Sequence, residues 1–400
     1  MSDFKKNLPV RLEVVDSLRG FALMALFLIH MVEYFELYWY QPQPGLVHDV
    51  MFFLFAGKAY AIFALLFGVS FFIQMENQGR KGIDFRARFT WRLSLLLIMG
   101  YLHGLLYSGD ILQVLAVSGL LLLLIHQQSN KVTLILALIF LLQVPLIVYF
   151  IFGLIAPSMI NTQPWHWSLM SENFEIYANG SFKQLLSTNM FNGQFSKWVF
   201  FIESGRIYTV LGLFLLGLLV ARQRFFAKIA QYKKQIFIGS VIAILSALLW
   251  HFCSSFDQKI AQSFALTSMS LWLFNTIVSS YLNLSLTIVG ILLFCLLYLS
   301  PVFTRLLNLL APCGRMSLTL YVAQSLIGVP LFYGFAVGGF QTFGQVNSLL
   351  LGLVLWLMQM LFAHQWLKQY KYGPLEWCWR CFTYGKKIEN SRAASMVTAQ

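Results

Sequence analysis

Ten stretches of predominantly apolar residues run through this chain, each close to the length needed to cross a bilayer, and that repetition leaves few alternatives for its fold. A spanning helix takes about 20 residues at about 1.5 Å of rise each. The segments are 15–39, 49–75, 91–108, 111–126, 132–156, 199–221, 236–253, 279–300, 314–336 and 347–368. The third and fourth are short and meet at Ser108-Gly109-Asp110, which reads as a tight hairpin. Segment 262–278 is apolar as well and stands as a re-entrant piece or an eleventh span. Only 11% of the 400 residues are charged, well under the roughly one quarter of an ordinary soluble domain. The fold class expected is all-α: a polytopic membrane protein of about ten transmembrane helices. Residues 14–386 form a single domain, and 387–400 are expected to be a disordered cytoplasmic tail.

The net charge of +13 would raise the question of nucleic acid in a soluble protein. Mapping the charges removes it. Lys5, Lys6 and Arg11 precede the first span, and Arg80, Lys81, Arg86, Arg88 and Arg92 separate the second from the third. Arg222, Arg224, Lys228, Lys233 and Lys234 follow the sixth, and Lys371, Arg380, Lys386 and Lys387 follow the tenth. With ten spans all of these fall on one side, while the other side's loops carry only Lys183, Lys197 and Lys259. Basic loops stay in the cytoplasm, so both termini are expected there. An eleventh complete span would break the pattern. The first apolar stretch carries Asp16 and Arg19 and no small-residue cleavage site, so no signal peptide is expected. Between the fifth and sixth spans, 157–198 reads as an outer loop of amphipathic segments marked by Trp165, Trp167, Phe174, Tyr177 and Phe182. The five cysteines make no disulfide framework, and no metal-ligand set is expected.

Ionisable groups inside a bilayer are costly enough to need a partner, a cavity or a function. Arg19 and His30 are eleven residues apart and share a helix face, and Glu33 lies at i+3 from His30, where it can bond the ring. Lys58 and His103 fall at similar depth in the second and third spans, and Asp110 closes the hairpin. Glu203 and Arg206 read as an i,i+3 structural pair in the sixth span. A carboxylate-oriented histidine is the usual general base near neutral pH. Arg315, where the ninth span begins, joins Arg19 as a fork for phosphate groups.

Several stretches together resemble the YeiB-like family of bacterial multi-pass membrane proteins, which carry domain of unknown function 418. They are Asp16-Ser-Leu-Arg-Gly-Phe-Ala-Leu23, Gly57-Lys58 with Phe63-Ala-Leu-Leu-Phe-Gly68, and Gly100-Tyr-Leu-His-Gly104 with Ser108-Gly-Asp-Ile-Leu112. Gly314-Arg-Met-Ser-Leu-Thr-Leu-Tyr-Val-Ala-Gln324 and Gly373-Pro-Leu-Glu-Trp-Cys-Trp-Arg380 follow in the family's order. The family is distantly similar to the transmembrane acyltransferases, which implies a bundle of that type and a bacterial inner-membrane location. Those enzymes carry an Arg, ten residues and then a His in the first span, as Arg19 and His30 do here. His103 and Asp110 match the YeiB-like pattern, which has Asn at the position of His30.

What the resemblance implies is acyl transfer from a cytoplasmic acyl-CoA to an outward-facing acceptor. His103 or His30 would be the base, with His103 favoured, Asp110 or Glu33 would orient it, and Lys58 would stabilise the oxyanion. Arg19 and Arg315 would hold the donor. No permanently bound cofactor is expected. The alternative is a small-solute or proton-coupled transporter, in which the same groups relay protons. Expected partners are the bilayer and a small-molecule substrate but no nucleic acid; a homo-oligomer is left open.

Overall fold

The computed structural model describes residues 12–392, so Lys5, Lys6, Arg11 and positions 393–400 of the expected tail lie outside it. The chain begins in α1 (Glu13–Val32), followed by a 3₁₀ turn at Tyr34–Trp39. α2 (Leu46–Phe55) and α3 (Ala59–Gly79) are one apolar run broken at residues 56–58. α4 (Arg86–Leu106) and α5 (Leu112–Ile125) form the expected hairpin. α6 (Asn130–Leu141) and α7 (Val144–Ile155) meet at a 45° bend. α8 (Trp165–Asn179) and α9 (Phe182–Glu203) pack on each other, and α9 joins α10 (Arg206–Arg222) across a 69° bend. Gly205 sits at that bend with φ of +69°, a left-handed conformation glycine adopts without a Cβ penalty. Then come α11 (Lys233–Ser254), α12 (Asp257–Ser263), α13 (Ser268–Tyr298), α14 (Pro301–Asn308), α15 (Ala311–Arg315), α16 (Ser317–Phe332), α17 (Gly344–Gln369) and α18 (Pro374–Tyr384).

The protein is an all-helical, multi-pass membrane protein. Among the described residues six helical runs are long and apolar enough to cross a membrane, or eight if each bent pair is one span. Two of the ten expected spans correspond to shorter helices: α5, with 14 residues, and α16, with 16. At about 1.5 Å per residue these reach only roughly 21–24 Å. Both are packed among other helices, α5 against α4, α10 and α3, and α16 against α18, α1 and α4. Three readings of the sequence change here. Residues 268–278 are the first turns of the long α13, so segment 262–278 is no separate element. The stretch 157–198 is largely the two helices α8 and α9. The first span also ends earlier than residue 39, because Tyr34, Phe35 and Glu36 all have left-handed φ, +52°, +48° and +74°.

α1 is the central helix, with 78% of its most apolar window buried, against 22% for the run containing α11. A helix apolar all round belongs inside, while the exposed Phe237, Ile242, Leu245, Leu248 and Phe252 of α11 suit lipid contact. α1 also makes a very close contact with α15. A Cβ on Gly20 would strike the carbonyl of Leu310, and one on Gly314 the carbonyl of Asp16. Only glycine at both places lets the backbones meet, and the contact sets Arg19 beside the segment carrying Arg315.

Candidate active site on the two ends of one helix

Two cavities open along α1. The one at its N-terminal end, about 260 Å³, is lined by Arg19, Arg92, Arg315, Lys371 and Arg380 among aromatic and aliphatic side chains. The Arg19 guanidinium donates to Ser70 Oγ at 2.7 Å and lies 3.4 Å from Asp16. Arg92 is buried, stacks 4.1 Å from the Trp379 ring, and its Nε has no hydrogen-bond partner. Among the described residues no carboxylate pairs with it. The one carboxylate in this wall, Glu376 of α18, is already engaged: it accepts from the Leu318 and Thr319 N–H groups and the Thr319 hydroxyl at the start of α16. Burial pushes its carboxyl above the ordinary glutamate value, against the pull of those hydrogen bonds. The cavity is therefore strongly cationic, and an unpaired buried guanidinium calls for an anion.

The second cavity, about 560 Å³, lies at the other end of α1 and is walled by aromatic side chains with His30, Glu33, Glu36, His166, Lys197 and Arg206 among them. His30 Nδ1 is 2.6 Å from Glu36 Oε1, which also accepts from the Tyr107 hydroxyl at 2.7 Å. The left-handed run that ends α1 turns Glu36 back onto His30. Glu33, the expected partner at i+3, instead accepts from Trp39 Nε1 at 3.0 Å. Periodicity assumed a continuous helix here, and the break hands Glu33's expected role to Glu36. His30, Glu33 and Glu36 also present ligand atoms within 4.8 Å of one another, a spacing that suits a metal ion and that the sequence reading did not name.

The two cavities share three wall residues: Leu26, Ile111 and Tyr321. His30 is one helical turn beyond Leu26 on the same face. Behind the septum lies the second histidine pair. His103 Nδ1 is 2.8 Å from Asp110 Oδ1, while Asp110 Oδ2 accepts the Gln113 N–H and so caps α5. His103 Nε2 is buried without a hydrogen-bond partner, and its ring sits 5.2 Å from that of Tyr321. Neither His103 nor Asp110 lines either of these two cavities.

Comparison with known proteins places two matches on this framework. Residues 11–177 match the catalytic domain of heparan-alpha-glucosaminide N-acetyltransferase, and 220–386 match the protein of unknown function DUF418. An uncharacterized 39.9 kDa protein from Bacillus acidopullulyticus is 27% identical over 95% of this chain and 96% of its own. The uncharacterized protein YxaH of Bacillus subtilis is 25% identical over 94% of each. The uncharacterized protein YeiB of Escherichia coli is 26% identical over 92% of this chain and 95% of its own. The chain is thus similar over nearly its whole length to uncharacterized bacterial proteins that include YeiB and YxaH.

Both matched segments contribute to the cationic cavity, Arg19 and Arg92 from the first and Arg315, Lys371 and Arg380 from the second. Lys58 falls in the first segment but lines neither cavity. Its ammonium donates to the Phe52 carbonyl at 3.3 Å, closing the end of α2. The lysine that does line the aromatic cavity is Lys197, buried in α9 and donating to Gln194 at 2.8 Å. Sequence reading counted it as an outer-loop charge. Glu203 and Arg206 do not pair. Glu203 holds His166 at 2.6 Å, and Arg206 stacks over Phe200 and Tyr60 at 4.6 and 5.6 Å.

Proposed function

We propose that this protein is a membrane-embedded acyltransferase that takes an acyl group from an acyl-CoA seated in the cationic cavity and passes it to a hydroxyl or amine acceptor in the aromatic one. The observation that carries the reading is the septum: two chemically unlike cavities on one helix, separated by Leu26, Ile111 and Tyr321. The match of residues 11–177 to an acetyltransferase catalytic domain agrees with it.

The cationic cavity fits the donor. Arg92, Arg315, Lys371, Arg380 and Arg19 would bind its phosphates, and Arg92 has no competing carboxylate among the described residues. The basic loops expected in the cytoplasm include Lys371 and Arg380, which puts this cavity on the side where acyl-CoA is made. The thioester would reach the septum beside His30. There the acceptor's oxygen or nitrogen attacks the acyl carbon, the carbon–sulfur bond breaks, and the acceptor's proton is moved to the leaving thiolate. His30, oriented by Glu36, is the proton-transfer group at this junction. His103 and Asp110 brace the septum from behind through Tyr321, so the base favoured from sequence becomes a positioning residue.

The test is release of free CoA from acetyl-CoA by the purified protein in proteoliposomes, with D-glucosamine or water as acceptor. Release that depends on His30, together with CoA binding that does not, supports the reading. A protein that neither binds CoA nor releases it, yet drives solute uptake into the vesicles, would point to a transporter instead.

A further inference from the structure

A third histidine pair belongs to the aromatic cavity and has no part in the scheme above. His166, the second residue of α8, is buried yet lines that cavity. Its Nδ1 lies 2.6 Å from Glu203 Oε2 at the end of α9. The same carboxylate accepts the His166 N–H at 2.9 Å and, through its other oxygen, the Trp165 N–H at 3.1 Å. Three bonds thus fix the carboxylate, and the carboxylate fixes the ring. With Nδ1 carrying the proton toward Glu203, Nε2 is left as the acceptor. No described residue hydrogen-bonds to Nε2. The ring is further held edge-on by Phe200 at 5.2 Å and lies tilted against Trp272 at 5.7 Å.

Helix capping accounts for part of this. Pro164 precedes α8 and offers no side-chain oxygen, so Glu203 supplies the acceptor that Ser or Asp would normally provide. Capping explains the two backbone bonds but leaves unexplained an imidazole seated on the same oxygen and turned to a cavity. A carboxylate, an imidazole with its tautomer set, and an open Nε2 are the parts of a general base.

We propose that His166, positioned by Glu203, is the acceptor-side base of the transfer, a catalytic residue distinct from His30. The division follows from placement. His30 is next to the septum, where the thioester would arrive, while His166 stands on a wall built by α8 and α9. The acceptor's O–H or N–H bond breaks with its proton going to His166 Nε2. The new bond to the acyl carbon forms, the carbon–sulfur bond breaks, and His30 returns a proton to the thiolate. Cavity water then resets the two rings, so protons balance over a turnover. This rests on the acyl-transfer reading, and the experiment separates the two.

Two small acceptors are compared with acetyl-CoA as donor. Hydroxylamine is neutral and strongly nucleophilic at neutral pH and gains little from a base, whereas ethanolamine is protonated and needs one. The wild-type protein is expected to use both. His166→Ala is expected to lose about 10²–10⁴-fold with ethanolamine, the range for a positioned base, while keeping hydroxylamine turnover within a few-fold. Glu203→Gln, which retains a carbonyl oxygen for the α8 backbone, should show the same selective loss more weakly. Retained hydroxylamine turnover also reports that each variant is folded. Equal loss with both acceptors, or loss with neither, overturns the assignment while leaving acyl transfer standing. A wild-type protein that uses hydroxylamine but not ethanolamine overturns it as well. A wild-type protein that releases CoA to neither overturns acyl transfer, and this proposal with it.

Discussion

The two ends of α1 are lined by opposite kinds of side chain. At the Arg19 end five basic side chains line the cavity, and the one glutamate in that wall is occupied by a helix N-terminus. At the His30 end charges of both signs are interleaved with aromatic rings, and the histidines are paired with carboxylates. A surplus of one sign is what holds a polyanion, and it asks little of any individual geometry. Paired imidazole and carboxylate groups hold nothing strongly but move protons, and they depend on tenths of an ångström. On the proposed reading, the contrast separates affinity from chemistry along one helix.

That separation can be broken experimentally. The largest effect is expected from His30→Ala: CoA release should fall by about 10²–10⁴-fold, with the CoA dissociation constant unchanged by calorimetry. A parallel loss of CoA binding would collapse the distinction between the two ends. Next, Arg92→Ala should weaken CoA binding about 10- to 100-fold, as expected for loss of a charge-assisted hydrogen bond, with turnover at saturation little altered. Unchanged CoA affinity would remove Arg92 from the anion site. Tyr321→Ala opens the septum and removes the hydroxyl that accepts the Ile111 N–H. It should raise hydrolysis relative to transfer a few-fold, read from the ratio of CoA released to acceptor acylated; a constant ratio would mean that Tyr321 does not divide the cavities. The smallest change is expected for Lys58→Met. It should lower stability by about 1 kcal/mol for one lost hydrogen bond, seen as a reduced melting temperature, with CoA release intact. A large activity loss would return Lys58 to the chemistry.

Much of the bundle was legible because apolar runs of spanning length have few other uses, and the α4–α5 hairpin declared itself through Ser108-Gly109-Asp110. His103 and Asp110 stood among the candidate bases and orienting groups through the family resemblance, and the α4–α5 hairpin is what brings them together. The exchange of Glu33 for Glu36 could not be foreseen from sequence. A left-handed run normally announces itself through glycine or asparagine, and Tyr34-Phe35-Glu36 contains neither. His166 and Glu203 are 37 residues apart, and the bond between them depends on how α8 folds back on α9. Lys197 was hidden for the same reason. Positive-residue counting assigns a lysine to a loop or a helix but is blind to burial against a neighbouring helix.

The septum of Leu26, Ile111 and Tyr321 has a thermodynamic consequence. Because each of these side chains touches both cavities, a ligand that shifts one of them in its own cavity changes the shape of the other. Such coupling is reciprocal by linkage: if CoA tightens the acceptor's binding by some factor, the acceptor must tighten CoA's by the same factor. Three shared side chains would then let the membrane protein register, on one face, whether the other face is occupied.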